Sequence, residues 1–249
     1  MKGLGTIWRR ELAGLFYAPL AWVLLFLVLL YQAYFFLLIL VSKGGEVNGS
    51  LTFLLGGGFP FWLLLLVLPP LLTMRMISEE SRSGLLEFLL TAPVSDAAVV
   101  TGKALAATTF FGLAWSGNFL FGALVQLLGA APDWGLLFAV WLGATLASAF
   151  FCGIGLVSSA VFSTPLLAAF FAILVNIALY ALPILARAWR GPVGELLGAA
   201  LERVDVLAHF RTSFLIGTLD SAHVVFFLAW TAAFLFLAVR AVESRRWLG

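Results

Sequence analysis

Charged residues are scarce in this sequence. Its 249 residues include 14 Lys and Arg and 12 Asp and Glu, which together make up 10% of the chain. Soluble domains carry about 25% charged residues and about 45–50% apolar ones. Here 63% of the residues are hydrophobic and the mean hydropathy is +1.11. This composition excludes an ordinary soluble domain and predicts a polytopic membrane protein.

Cysteine and histidine are also rare, which excludes several kinds of site. The single Cys152 cannot form a disulfide within the chain, and its hydrophobic surroundings indicate a packing role. His209 and His223 are the only histidines, and neither has cysteine or acidic neighbours at metal-ligand spacing. We therefore predict no metal site and treat both histidines as interfacial polar residues.

Long apolar runs dominate the rest of the chain. A helix needs about 20 apolar residues to cross the hydrocarbon core of a bilayer. Six segments meet this requirement, and we expect one all-helical transmembrane domain over residues 1–249 with spans at about 19–41, 54–74, 104–129, 135–161, 166–186 and 222–241. The first span is too long for the apolar region of a cleavable signal, so we expect it to be retained.

The Lys and Arg residues predict the orientation of the spans. With both termini in the cytoplasm, nine basic residues lie inside and five outside, and the cytoplasmic side of a membrane protein carries the excess. Residues 3–16 place apolar side chains at helical spacing and Arg9 and Arg10 on another face. This pattern predicts a basic helix lying on the membrane surface. A frayed extension of span one is the alternative, and Pro19 favours a break between the two.

A second amphipathic region precedes span six. Apolar residues from Val193 to Val204 recur at helical spacing, and the stretch "HFRTSFLIGTL" follows. We expect two short helices at the outer membrane surface, because a long loop without structure would be unusual.

One polar island interrupts the apolar sequence. From Arg75 to Lys103, 7 of 29 residues are charged. Pro93 disfavours a helix at Ala92, so a short helix, "LLEFLLTA", should end there. Ser95 or Asp96 is then placed to cap the helix that enters span three. A helix this short is marginal alone in water and needs a surface to pack on. That surface is either the membrane or a groove in a partner protein.

The island also carries a resemblance. The order "E-E-x-R-S-G-x-L-E-x-L-L-T-A-P-V-S", followed by "G-K" at Gly102-Lys103, resembles the cytoplasmic link of ABC-2 type transporter permeases. It looks most like the gliding-motility-associated permease subfamily, with the nitrous-oxide-reductase maturation permease as a more distant relative. The stretch from His209 to Leu228 is similar to that subfamily's "H-F-x-x-F-x-x-G-x-x-D" segment. Two departures are Leu85, where relatives often have Thr, and Arg211, where an acidic residue is usual.

The resemblance implies a function for the island. In such permeases a coupling helix in this link docks into a cleft of a separate ATP-binding cassette subunit. By similarity, the docking residues here are Glu79, Glu80, Arg82, Gly84, Leu85, Leu86, Glu87, Phe88, Leu89, Leu90 and Pro93. The resemblance further implies two permease chains, identical or different, two cassette subunits, and an auxiliary membrane protein with a large periplasmic domain. It implies a bacterial inner membrane location and export or force transmission driven by ATP.

The chain itself lacks an ATPase motif. In a Walker A loop a Ser or Thr follows the Lys, and backbone amides cradle the phosphates. Here Ala104 follows Lys103, and Ala97 stands in place of the first Gly. We therefore expect no catalytic residues and no cofactor on this chain, with ATP and Mg²⁺ bound by the partner subunit, and no nucleic-acid partner.

A few polar residues lie inside the spans. Asn118, Gly122 and Gln126 fall on one face of span three, and Asn176 lies in span five. Buried amides in lipid should face protein or water. They either line a substrate path or subunit interface, or make hydrogen bonds between helices.

The sequence argues against two other functions of a polytopic membrane protein. An ion-coupled secondary transporter usually needs ionisable groups at mid-membrane, and an intramembrane serine protease needs a His there. The interiors of the predicted spans contain no charged side chain and no histidine.

Overall fold

The computed structural model describes residues 3–83, 95–188, 198 and 201–245. Within these ranges all regular structure is helical and no β-strand occurs. Six helical segments are long and apolar enough to cross a membrane, which confirms the predicted number of spans. Helices suit this role because every backbone donor and acceptor is satisfied within the segment, where lipid offers no partner.

The first two helices are separated by a sharp break. Helix α1 (Leu4–Tyr17) ends before Ala18, whose extended backbone (φ −79°, ψ 130°) redirects the chain. Helix α2 (Pro19–Ser42) forms span one and begins with a proline, which is favourable at the first helical position because it lacks an N–H. The break expected at Pro19 is thus present.

Span two is built from several pieces. It comprises α3 (Val47–Thr52), a π-helical turn (Phe53–Gly57), α4 (Phe59–Thr73) and α5 (Ser78–Arg82). The π turn is closed by the Gly58 N–H, which donates to the Phe53 carbonyl oxygen at 2.8 Å. The irregular backbone lies at three consecutive glycines, Gly56 to Gly58, and Gly56 has φ 138°.

Spans three and four form the centre of the bundle. They are α6 (Asp96–Leu127) and α7 (Trp134–Val161). Ser95 caps α6, since its side chain accepts a hydrogen bond from the Ala98 N–H, and Asp133 caps α7 in the same way. In the most apolar part of each helix 67% of the residues are buried, compared with 11% in the last span.

The remaining spans lie at the periphery. Span five is α8 (Pro165–Ala188) and span six is α10 (Ser221–Arg245). Between them lie α9 (Val206–Thr212) and a 3₁₀ turn (Phe214–Ile216). The first of the two predicted outer helices falls largely outside the described residues.

Apolar side chains divide into two groups. Large residues such as Trp62, Trp115 and Phe150 are fully buried between helices. Others, including Phe26, Leu30 and Leu37 on α2, point outward and are half or more exposed. A soluble protein rarely exposes so much contiguous apolar surface, and a bilayer provides the missing contact.

Candidate functional site at the root of the link

An ion cluster lies where the link (residues 83–95) leaves span two, at α5, and we call this place the root of the link. The cluster consists of Arg10 and Glu11 on α1, Glu80 on α5 and Lys103 on α6. The Lys103 side chain is only 1% exposed, and its Nζ lies 2.7 Å from Glu80 Oε1 and 3.2 Å from Glu11 Oε1. Arg10 Nη2 lies 3.6 Å from Glu80 Oε1. Since a buried ammonium requires compensating charge, these carboxylates allow Lys103 to remain inside.

The residue before Lys103 allows α1 to approach α6. A β-carbon at Gly102 would lie 2.7 Å from Ile7 Cγ2, so only glycine fits there without displacing α1. Trp8 Nε1 donates to Thr109 Oγ1 at 3.2 Å and fixes the same contact further along α6. The Gly102-Lys103 pair therefore serves helix packing and charge pairing. Together these contacts hold helix α1 along α6.

A serine on span four holds the turn between α4 and α5. Ser159 Oγ accepts hydrogen bonds from the N–H groups of Ile77 and Ser78, at 3.1 and 3.0 Å. It also donates to the Met74 carbonyl oxygen at 2.9 Å. These backbone groups have no regular helical partner because the helix is interrupted between residues 74 and 77. One buried hydroxyl thus ties the root of the link to α7.

A cavity of about 650 Å³ opens beside the ion cluster. Its charged lining includes all four residues of the ion cluster together with Arg75 and Glu79, both of which are exposed. Glu80 Oε2 is buried and has no hydrogen-bond partner within the described residues. A buried acceptor without a donor is costly, so this oxygen is a candidate contact for a ligand.

The predicted docking residues divide into two sets. Glu79, Glu80 and Arg82 lie on α5, where Glu80 joins the ion cluster and Arg82 is exposed. The others lie outside the described residues, namely Gly84, Leu85, Leu86, Glu87, Phe88, Leu89, Leu90 and Pro93.

The polar residues predicted on one face of α6 have different surroundings. Gly122 packs against α7, where a β-carbon would come within 2.6 Å of Leu137 Cδ1. Gln126 is exposed, and its Oε1 accepts a hydrogen bond from Trp134 Nε1 at 3.1 Å. Asn118 is fully buried, and neither amide atom has a hydrogen-bond partner in the described part of the chain.

Asn176 donates a hydrogen bond to a backbone carbonyl oxygen that a proline leaves without its helical donor. Its Nδ2 donates to the Leu66 carbonyl oxygen at 3.0 Å. In a regular helix this oxygen would accept from the N–H of the residue four positions on, but that residue is Pro70 and has no N–H. The hydrogen bond joins α8 to α4 where the helix would otherwise expose an unsatisfied group.

Several residues of structural importance were not anticipated from the sequence. Glu11 and Ser159 contact the root of the link, and Gln32 on α2 is buried with both amide atoms unpartnered among the described residues. The isolated Lys103 between small neighbours is a signal that a partner carboxylate must exist. No comparable signal identifies Ser159, because serines are common in transmembrane helices.

The two histidines meet at the opposite end of the bundle. His209 Nδ1 lies 2.8 Å from His223 Nδ1, and the His209 ring stacks on Phe226 at 3.8 Å between centroids. Burial lowers the pKa of His209, the neighbouring His223 lowers it further, and Asp205 opposes the shift. In the described ranges no three His, Cys, Asp or Glu side chains form a metal-binding group.

Comparison with known proteins does not assign this chain to a family. No protein-family model matches the sequence, and neither does any curated protein. The function must therefore be argued from the link and its root.

Proposed function

We propose that this chain is the membrane permease subunit of an ATP-driven ABC transporter of the ABC-2 type. It couples ATP hydrolysis in a separate cassette subunit to export or to force transmission across a bacterial inner membrane. Both termini and the link face the cytoplasm in this proposal. By the resemblance, the coupling segment is residues 84–92, which lie outside the described residues, and Glu79, Glu80, Arg82 and Pro93 flank it.

The attachment of the link root is the observation that carries the proposal. Helix α5 is joined to α6 through Lys103, to α1 through Arg10 and to α7 through Ser159. A force applied to the link would therefore reach three helices, two of which form the centre of the bundle. Rigid-body movement of packed helices is the usual way in which such a displacement switches a transporter.

The remaining parts of the proposal follow from the resemblance. Two copies of a cassette ATPase bind ATP and Mg²⁺, and a second permease chain completes the membrane unit. An auxiliary membrane protein with a large periplasmic domain belongs to the same assembly. Asn118 is the best-supported pathway residue, because a fully buried amide without a partner would gain hydrogen bonds if the helices separated.

Copurification tests the proposal directly. The full chain, tagged and isolated from its native cells, should retain a cassette ATPase, and Leu86→Asp combined with Leu89→Asp should abolish that retention. Leu86→Met combined with Leu89→Met is the matched control, since it conserves size and apolarity and should retain the ATPase. Unchanged retention by the aspartate variant would refute docking at these residues. Transport by the purified chain driven by an ion gradient alone would favour a secondary transporter.

A further inference from the structure

The cavity beside the ion cluster has a balanced set of charges. Three cations and three carboxylates line it, namely Arg10, Arg75, Lys103, Glu11, Glu79 and Glu80. Such a wall has no net charge with which to attract a simple anion or cation. It is suited to a ligand that carries a positive and a negative charge a short distance apart.

The pairing within this set leaves specific groups free. Lys103 is compensated by Glu80 and Glu11, and Arg10 contacts the same two carboxylates. Glu80 Oε2 remains without a donor, although it is buried. In the described ranges Arg75 and Glu79 make no ion pair. The free groups are thus one guanidinium and two carboxylate acceptors at the edge of one cavity.

The rest of the cavity lining is largely apolar. It is formed by Leu15 and Ala18 at the junction of α1 and α2, and by Leu71, Leu72 and Met76 near the end of α4. The volume of about 650 Å³ lies within the range of about 300–1,000 Å³ that small-molecule sites occupy. An amphiphile would place its head at the charged wall and the first part of its chains at the apolar wall.

We propose that this cavity binds a phospholipid with a primary ammonium group, of the phosphatidylethanolamine class. Its phosphate contacts the Arg75 guanidinium, and its ammonium donates hydrogen bonds to Glu80 Oε2 and to the Glu79 carboxylate. The acyl chains pass along Leu15 and Leu71 toward the bilayer. Glu79 and Glu80 also belong to the proposed docking flanks, but lipid binding is measured on the chain without a cassette subunit, so the two proposals can fail separately.

The chemistry of the head group gives the site its selectivity. A phosphatidylcholine head has the same charges, but its quaternary ammonium has no N–H to donate to Glu80 Oε2. A phosphatidylglycerol head is anionic and would leave the Glu79 carboxylate without a cation and Glu80 Oε2 without a donor. Both should bind more weakly than phosphatidylethanolamine with the same acyl chains.

Native mass spectrometry of the full chain, purified and delipidated in detergent, tests this selectivity. The probes are phosphatidylethanolamine, phosphatidylcholine and phosphatidylglycerol with identical acyl chains. Phosphatidylethanolamine should form a single adduct at about tenfold lower concentration than either other lipid, as expected for one charge-assisted hydrogen bond. Equal binding of phosphatidylcholine, or tighter binding of phosphatidylglycerol, would overturn the proposal.

Substitutions on the cavity rim locate the site. Arg75→Gln and Glu79→Gln should each weaken the phosphatidylethanolamine adduct by about tenfold. Arg82→Gln is the matched control, because Arg82 is exposed on the same segment but does not line the cavity, and it should bind as the wild type does. Since both rim side chains are exposed, all three variants should keep the wild-type unfolding midpoint. Wild-type binding by Arg75→Gln and Glu79→Gln would contradict the site.

Discussion

The two ends of the bundle are stabilised mainly by different kinds of contact, charge pairs at one end and aromatic packing at the other. At the root of the link, four charged side chains from three helices meet beside a cavity. At the other end of span two the contacts are mainly aromatic, with Phe61, Trp62 and Phe210 at 5.3–5.6 Å between ring centroids. An ion pair between Arg187 and the buried Asp205 lies at the same end.

This difference indicates which end is able to move. Close-packed aromatic rings tolerate little displacement, because their contacts are lost over fractions of an ångström. Charge pairs act over longer distances and exchange partners more easily, since their attraction falls only gradually with separation. In the proposed permease the aromatic end would therefore serve as the rigid support, and the link end would receive the mechanical input.

Removing the central charge of the link end should produce the largest effect. Lys103→Met leaves the largely buried Glu80 and Glu11 with only the half-exposed Arg10 as a cation, and should lower the free energy of unfolding by about 3 kcal/mol. Thermal unfolding in detergent measures this loss. Lys43→Met, at an exposed lysine, is the control and should change stability little. If both variants are equally stable, the ion cluster does not hold the link root.

Gly56 provides the corresponding test at the aromatic end. Its backbone has φ 138°, which L residues rarely adopt, and a β-carbon would lie 2.4 Å from Phe210 Cε1. Gly56→Ala should therefore cost about 3 kcal/mol through strain and overpacking together. Gly44→Ala separates these causes, since Gly44 also has positive φ but open space around it. A similar loss in both variants would show that the packing against Phe210 contributes nothing.

The hydrogen bond between α8 and α4 should have a smaller effect. Asn176→Leu removes the donor to the Leu66 carbonyl oxygen and should cost about 1–2 kcal/mol, as for other hydrogen bonds between transmembrane helices. In a Pro70→Ala background the helix supplies its own N–H, so the same substitution should cost less. An equal cost in both backgrounds would mean that Asn176 stabilises the fold by another route.

Acid should weaken the aromatic end slightly. Because the pKa of His209 is lowered in the folded protein, the unfolded chain binds the proton more tightly. Stability is therefore complete above the ordinary histidine pKa of about 6.5 and decreases as the pH falls below it. Unfolding midpoints at pH 7.5 and 5.5 should differ for the wild type and differ less for His209→Phe. The same difference in both proteins would exclude His209 as the source.

Much of the architecture could be predicted from local sequence. The six apolar runs, the break at Pro19, the irregular backbone at the glycines of span two and the Ser95 cap each depend on a few neighbouring residues. The start of span three shows the limit of hydropathy alone, since the capping residue Ser95 predicts it better. Hydropathy places its start near residue 104, whereas the helix begins at Asp96, because the polar first turns are helical without being apolar.

The candidate site could be predicted only in part. Glu80 and Lys103 both belong to the motif of the link, but no sequence pattern pairs their charges, and none places Glu11 beside them. Ser159 carries no sequence pattern that indicates its role. Its partners Ile77 and Ser78 lie 82 and 81 residues away, and their N–H groups need a partner only because the helix is interrupted there.

The sequence by itself determined that this chain is helical and has six segments long and apolar enough to cross a membrane. Hydropathy decides which segments enter lipid, because the free energy of transfer depends on each segment's own residues. Those segments are helical because their backbone must satisfy its own hydrogen bonds in lipid. Only the tertiary structure decided which polar groups meet. Lys103 and Glu80 are 23 residues apart, and Asn176 and Leu66 are 110 apart. Such contacts depend on how the helices pack, and no local pattern records them.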